Sequence, residues 1–254
     1  MELEQITAIA RRLKECRSVL FVTGAGISAD SGLPTYRGIG GLYEQDETDD
    51  GIPIEAALSG AMFQRDPSIT WKYIHQIESS CRDAGPNRAH EAIAELEDRF
   101  DRVWTLTQNV DGLHHTAGST QVIDIHGDVH WLLCTQCGHR WRVESYAGLP
   151  IPPTCPECDS LVRPEVVLFG EMLPVDRVRV LQEQLMRGFD AVFSIGTTSV
   201  FPYIAQPVID ARRRGGLTVE INPGVSEVSQ VVTHRLRTGA AATMDALVRA
   251  LDRA

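Results

Sequence analysis

Four of the six cysteines fall in two pairs, Cys134-x-x-Cys137 and Cys155-x-x-Cys158, with seventeen residues between the pairs. That spacing reads as a tetrahedral four-thiolate zinc site, and turn residues beside each pair, Gly138 and Pro156, help a short segment aim both sulfurs at one ion. Because all four ligands are protein sulfurs, no position stays open for water or substrate, so the metal is expected to be structural. His139 could replace a ligand, but with four cysteines present a neighbouring role is expected. Cys16 and Cys81 stand alone in helical patterns and read as small core or boundary residues.

A second feature is Gly24-x-Gly26-x-x-Ala29, placed after the apolar run Ser18 to Thr23 and before a possible helix. Small residues in that context let backbone N–H groups approach a pyrophosphate at a helix N-terminus. A dehydrogenase would continue within about twenty residues into a second strand ending in an acidic ribose-binding residue. Here the chain runs Ser31-Gly-Leu-Pro-Thr-Tyr-Arg37-Gly instead, which keeps a nucleotide site open and disfavours hydride transfer. Further polar clusters end other apolar runs: Thr107-Gln-Asn-Val-Asp-Gly112, His126-Gly127, Gly196-Thr-Thr-Ser199 and Asn222-Pro-Gly224. Singly, each reads as turn chemistry. Together they would line one sheet edge, with a histidine able to move protons near neutral pH, and that combination favours a catalytic crevice.

The elements that must position these groups alternate between apolar runs and helical periods, the pattern of a parallel sheet covered on both faces. An amphipathic helix is expected over 2–16, and a helix capped by Asn87 runs to about Phe100. Strands are expected at 18–23, 102–107, 121–125, 165–168, 190–195 and 217–221, with later helices near 175–187, 202–214 and 239–252. The predicted fold is α/β: a discontinuous Rossmann-like lobe from 1–32, 85–127 and 165–254, with a smaller lobe made of a cofactor loop and helical module at 33–84 and a zinc module at 128–164. Glu44 to Asp50, EQDETDD, reads as a solvated acidic loop.

Composition sets the outer bounds. The 254 residues suit one large domain or a domain with a substantial insertion, since single cores stop growing at roughly 250–300 residues. A formal charge of −10 excludes duplex DNA as a main partner, and Asp128, Glu144, Glu157 and Asp159 interrupt Arg140, Arg142 and Arg163, so the zinc segment has no basic stripe. No run of about 18 apolar residues occurs and the start lacks a secretory pattern, so no membrane partner and a cytoplasmic location are expected. A monomer is the expected quaternary state.

Several stretches resemble the sirtuins, the NAD-dependent protein deacylases, in the bacterial form. GAGISADSGLPTYRG at 24–38, TQNVDGLH at 107–114, the HG at 126–127, the cysteine quartet and VVLFGE at 166–171 follow that family's order from about Val19 to the C-terminus. The resemblance implies NAD as cosubstrate and one structural zinc ion. It implies an acyl-lysine peptide bound in the cleft between lobes, with free lysine, nicotinamide and O-acyl-ADP-ribose as products. Carried over residue by residue, Gly24, Ala25, Gly26, Ser28, Asp30, Thr35, Tyr36 and Arg37 line the phosphate and nicotinamide side, with Tyr36 in place of the usual Phe. Gln108, Asn109, Val110 and Asp111 hold the nicotinamide ribose and carboxamide. His126 is the general base, with Asn109 and Asp111 beside it. Gly196, Thr197, Thr198 and Ser199 bind phosphate or adenine ribose, Asn222 the adenine ribose, and the backbone near Ala240 the adenine. Val167, Leu168, Phe169 and Gly170 resemble the strand that pairs with the peptide.

Two departures bear on specificity. Family members that remove succinyl or malonyl groups carry Y-x-x-R in the small-lobe helix. Trp71-Lys-Tyr-Ile-His-Gln-Ile77 places Ile74 and Ile77 at those positions, so an acyl carboxylate would lack its partner and an apolar pocket is expected. Val200-Phe-Pro-Tyr203-Ile-Ala departs from the usual tyrosine-proline-alanine run, and contacts beyond Ser199 do not carry over. Two other readings stay open: an NAD glycohydrolase or mono-ADP-ribosyltransferase, in which another nucleophile intercepts the same chemistry, and a non-enzymatic NAD sensor. VVLFGE argues against simple hydrolysis, and intact Asn109, Asp111 and His126 argue against the sensor.

Overall fold

The computed structural model describes residues 2–34 and 48–253. Its elements, in chain order, are α1 (Glu2–Leu13), β1 (Ser18–Thr23), α2 (Ile54–Ala57), α3 (Gly60–Arg65), α4 (Pro67–Cys81), α5 (Arg88–Glu97), β2 (Arg102–Thr107), α6 (Leu113–Thr116), β3 (Val122–Asp124), β4 (Gly127–Cys134), β5 (Arg140–Arg142), β6 (Val162–Val166), α7 (Val175–Arg187), β7 (Ala191–Ile195), α8 (Pro202–Arg213), β8 (Leu217–Ile221), β9 (His234–Leu236) and α9 (Ala240–Arg253). Six strands form one parallel sheet in the order β3-β2-β1-β7-β8-β9, the doubly wound arrangement whose strand order reverses beside the first strand. β1 and β7 are mostly apolar and buried at every residue, Ser18, Thr23 and Ser194 included, as a strand covered on both faces must be. On one face α1, α5 and α9 bury Ile9, Leu13, Ile93, Leu96, Met244 and Leu247. On the other, α7 and α8 contribute Leu181, Ile204 and Val208.

A second sheet of three antiparallel strands, β5-β4-β6, carries the cysteines. Its core is shared with the helices from 54 onward. Trp71 on α4 is fully buried and its indole N–H donates to the Val162 carbonyl at 2.8 Å. Glu78, also buried on α4, accepts the Tyr146 backbone N–H at 3.1 Å and pairs with Arg82 at 2.6 Å. The two stretches that break the alternation therefore pack on one another, and that core also takes in Val166 and Leu168.

Several expectations need correction. Residues 165–168 do not form a strand of the large sheet: β6 ends at Val166 and belongs to the small one. The glycine turn is followed by two 3-10 turns, Ala25–Ile27 and Ala29–Ser31, and not by the expected α-helix. β9 was not expected, because three residues without a turn signal leave no periodicity to read. Asp50, read as part of a solvated loop, accepts from the Tyr73 hydroxyl at 2.6 Å and pairs with Lys72 at 2.7 Å. The rest of that acidic run, apart from Thr48 and Asp49, lies outside the described residues.

Asn87 caps α5 as expected, and it does more than stop a helix. Its side chain accepts from Ala89 N–H at 2.9 Å and donates to Ile27 C=O at 2.8 Å and to Ser31 Oγ at 2.9 Å, tying α5 to the glycine turn. His90 completes the capping box by accepting the Asn87 N–H on Nδ1 at 3.3 Å, which puts its proton on Nε2. That Nε2, and Nδ1 of the neighbouring His114, are buried without a hydrogen-bond partner among the described residues. Burial lowers the His90 pKa from 6.5 to about 4 and pushes His114 well below 6.5. His90 is neutral in the folded protein at pH 5, whereas the unfolded chain binds that proton, and His114 shifts in the same direction. Stability is complete above about pH 6.5 and is lost as pH falls from there toward 4. For His90 alone the loss between pH 7 and pH 5 is about 2 kcal/mol. Urea unfolding at the two pH values should show at least this loss, and a His90→Gln variant should show less of it.

Candidate active site

Every polar cluster singled out above follows a strand of the large sheet at its C-terminal end. The strand that decides the site is β3, because the chain leaves it through Ile125 and His126 and enters the small sheet at Gly127. Gly127 has φ 94° and pairs with Val166 across the small sheet. A Cβ here would overlap the Glu165 carbonyl oxygen and come within 2.8 Å of Val166 Cα. Only glycine makes this crossing. Ile125 N–H still bonds Thr107 C=O at 3.1 Å in the parallel sheet, and His126 C=O accepts Val167 N–H at 2.8 Å beside the antiparallel one. The imidazole is thereby fixed between the two sheets.

His126 is held at both ring nitrogens. A carbonyl can only accept, so the 3.1 Å contact with Gln108 C=O puts the proton on Nδ1 and leaves the Nε2 lone pair for base chemistry. The Tyr203 hydroxyl donates to that Nε2 at 2.7 Å. Burial lowers the His126 pKa below its ordinary 6.5, opposed by the Gln108 carbonyl, so the ring is neutral at pH 7.

Neighbouring strand ends form one hydrogen-bonded net. Asn109, 8% exposed, donates to Ser28 Oγ at 3.1 Å and to Gly24 C=O at 3.3 Å. Ser28 in turn donates to Asp111 at 2.8 Å, and the other Asp111 oxygen accepts Leu113 N–H at 3.0 Å. Burial raises the Asp111 pKa, and those two donors oppose the shift. Gln108 donates to Thr197 Oγ1 at 2.8 Å, and Asn222 donates to Thr197 C=O at 2.9 Å. Gly26 N–H reaches Gly196 C=O at 2.8 Å, and a Cβ on Gly26 would lie 2.6 Å from Gly196 Cα, so two glycines let the β1 and β7 loops touch. Ala25, partly exposed, stands between them at the start of the first 3-10 turn.

The remaining expected residues fall as follows. Thr35, Tyr36 and Arg37 lie outside the described residues. Asp30 accepts the Ala241 N–H at 2.8 Å, capping the first turn of α9, where Ala240 is buried. Thr198 C=O accepts Glu227 N–H at 3.0 Å, and Ser199 is buried with φ 55°. Val110 packs on the small-sheet core, and its C=O accepts Val129 N–H at 3.0 Å. Ile74 is 3% exposed within that core and Ile77 packs against it. Val167 follows β6, and Leu168 N–H is clamped by Glu171 at 3.0 Å, itself held by Arg163. Phe169 is 39% exposed, but its N–H and C=O already bond Leu58 C=O and Gly60 N–H at 2.9 and 3.0 Å. Gly170 has φ 81° and turns the chain away.

The cysteine sulfurs all lie within 4.8 Å of one another, with Cys134 to Cys158 at 3.5 Å and Cys137 to Cys155 at 3.7 Å. A tetrahedral ion with sulfurs about 2.3 Å away sets them about 3.8 Å apart, so the quartet fits zinc. Backbone N–H groups of Cys137 and Glu157 point at Cys134 and Cys155 Sγ at 3.3 and 3.4 Å, supporting thiolates.

With this geometry in place, the matches to known proteins agree. The Sir2 family profile matches residues 24–202. The chain belongs to the Sir2 family. It is 48% identical over 230 residues to the NAD-dependent protein deacylase 2 of Pseudomonas aeruginosa, covering 89% of this chain and 90% of that one. It is 49% identical over 242 residues to the protein of the same name from Pseudomonas syringae, covering 94% and 97%. A Sir2 homologue solved with NAD superposes at a TM-score of 0.85 with 37% identity, covering 97% of this chain and 93% of that one. Another Sir2 protein, solved with a deacetylated peptide and 3′-O-acetyl ADP-ribose, gives 0.84 at 27% identity and 98% coverage of both.

Sequence reasoning missed the Tyr203 contact. The departure around Tyr203 was visible, but its meaning depended on where the first turn of α8 sits relative to β3.

Two outcomes follow for this Sir2 protein. Gly127→Ala should lower stability by about 2–4 kcal/mol, through overlap and a positive φ together, as read by urea denaturation. Purified protein should hold one zinc per chain by elemental analysis, and Cys155→Ser should release the metal and lower the thermal midpoint.

Proposed function

We propose that this chain is an NAD-dependent protein-lysine deacylase that removes apolar acyl groups and releases nicotinamide and O-acyl-ADP-ribose. One observation carries the reading: a neutral imidazole with its Nε2 lone pair aimed away from the Gln108 carbonyl, beside a buried Asn109, Ser28 and Asp111 net at the ends of parallel strands. The deacylase names of the Pseudomonas relatives and the solved complexes with NAD and a deacetylated peptide support it.

NAD, when bound, supplies an anomeric carbon whose bond to nicotinamide breaks as the acyl oxygen attacks. The chain's own residues do the rest. Asn109 and Asp111, already oriented by Ser28, Gly24 and Leu113, face developing positive charge without having to reorganise. His126 takes a ribose hydroxyl proton at Nε2, and the Gln108 carbonyl holds the resulting cation through Nδ1–H. Gly24, Ala25, Gly26, Asp30, Gly196, Thr197, Thr198, Ser199, Asn222 and Ala240 form the phosphate and adenosine side. The resemblance gives Thr35, Tyr36 and Arg37, which lie outside the described residues, to the nicotinamide side. Val167 to Gly170 face the peptide through side chains and remaining carbonyls, since the Val167, Leu168 and Phe169 N–H groups already bond His126, Glu171 and Leu58. The apolar preference rests on Ile74 and Ile77 standing where an acyl-carboxylate partner is expected, and both pack in the small-lobe core. No helix among the described residues is long and apolar enough to cross a membrane, and a reduced four-thiolate metal site accords with the cytoplasm.

Mass spectrometry with NAD and matched acetyl-, succinyl- and myristoyl-lysine peptides tests this. Acetyl or myristoyl loss should require NAD, yield O-acyl-ADP-ribose and fall by about 10²- to 10⁴-fold in His126→Ala. Succinyl loss as fast as acetyl loss would overturn the apolar preference. NAD consumption without peptide would point to a glycohydrolase, and bound NAD without turnover to a sensor.

A further inference from the structure

The Tyr203 phenol occupies the one lone pair that His126 can use as a base. An imidazole with its proton on Nδ1 has a single acceptor site, and the 2.7 Å bond from Tyr203 fills it. A ribose hydroxyl therefore reaches Nε2 in one of two ways: by pushing the phenol aside or by passing its proton through the phenol oxygen, which can accept while it donates.

The surroundings favour the second. Tyr203 stands in the first turn of α8, directly after Pro202, so its backbone is fixed by the helix and the proline ring. Its ring stacks on Phe201 at 5.5 Å with planes 13° apart, and both rings meet the imidazole nearly edge-on, at 83° and 87°. Three aromatic rings thus brace one another around Nε2. Tyr203 is only half-buried, and burial raises the phenol pKa to about 12, so it donates as a neutral group.

We propose that Tyr203 is the proton relay between the ribose hydroxyl and His126. The ribose O–H bond breaks as its proton bonds to the phenol oxygen. In the same step the phenol O–H bond breaks and that proton bonds to Nε2. The phenol ends neutral, the imidazole ends cationic, and the electron pair left on the ribose oxygen forms its bond to the acyl carbon. No oxidant or further reactant is required. This inference rests on His126 acting as the base.

In the proposed mechanism nicotinamide exchange precedes the base-dependent step and acyl transfer follows it, so the two readouts separate the relay from a merely structural role. Tyr203→Phe keeps the stacked ring and removes the hydroxyl. It should leave exchange within about twofold of wild type and slow acyl transfer on the order of 10- to 100-fold. In mixed H₂O and D₂O, the wild-type acyl-transfer rate should depend on deuterium fraction with the curvature of two moving protons, and Tyr203→Phe should give a straight line. Acyl transfer in Tyr203→Phe equal to or faster than wild type would show that the phenol only plugs the base, and would overturn the relay. A straight line for the wild type would overturn it too, whether or not the variant folds. Full acyl transfer in His126→Ala would remove the base assignment itself, whereas an inactive His126→Ala beside an unimpaired Tyr203→Phe removes the relay alone.

Discussion

The arrangement depends on one backbone crossing. At Gly127 the chain passes from the last strand on one side of a parallel sheet into the middle strand of an antiparallel one, at φ 94° and with no room for a side chain. A residue bearing Cβ would have to move β6 away from β4, and β6 leads directly into Val167, whose N–H holds the His126 carbonyl. The placement of His126, the join between the sheets and the start of the expected peptide-binding segment are thus one constraint. The two cores on either side of the crossing are separate apolar clusters, so it also couples lobes that otherwise fold around their own hydrophobic contacts.

The rest of the site is a net of short polar side chains on strand ends. Ser28 is its hub, receiving from Asn109 and donating to Asp111, while Gln108 and Asn222 converge on Thr197 from opposite sides of β1. Such a net requires close backbone approach, which Gly26 and Gly196 supply. Its groups orient one another through these bonds. That is the condition under which dipoles stabilise developing charge without first having to turn.

Much of this was legible in the residues. Mostly apolar runs at 18–23 and 190–195 specified buried parallel strands, Asn87 specified its cap, and the cysteine spacing specified a four-sulfur cluster. What could not be read was anything set by relative placement. The glycine turn resembled a helix start, but the chain folds into 3-10 turns because Asn87, sixty residues away, takes the Ile27 carbonyl. Residues 165–168 carried the hydrophobic pattern of a strand without saying which sheet would receive it. His90 and His114 lie on different elements and become a buried pair with rings 4.9 Å apart only through the packing of α5 on α6. Tyr203 stood out as a departure, and its partner lies 77 residues away.

The central claim is that the fold presents His126 as a neutral base with its proton on Nδ1. The most direct measurement is a nitrogen-detected NMR titration of the His126 ring in the free protein. The account predicts the Nδ1–H tautomer at neutral pH and a pKa below the ordinary 6.5, because burial outweighs the Gln108 carbonyl. A ring carrying its proton on Nε2, or one that stays charged above pH 6.5, would contradict it.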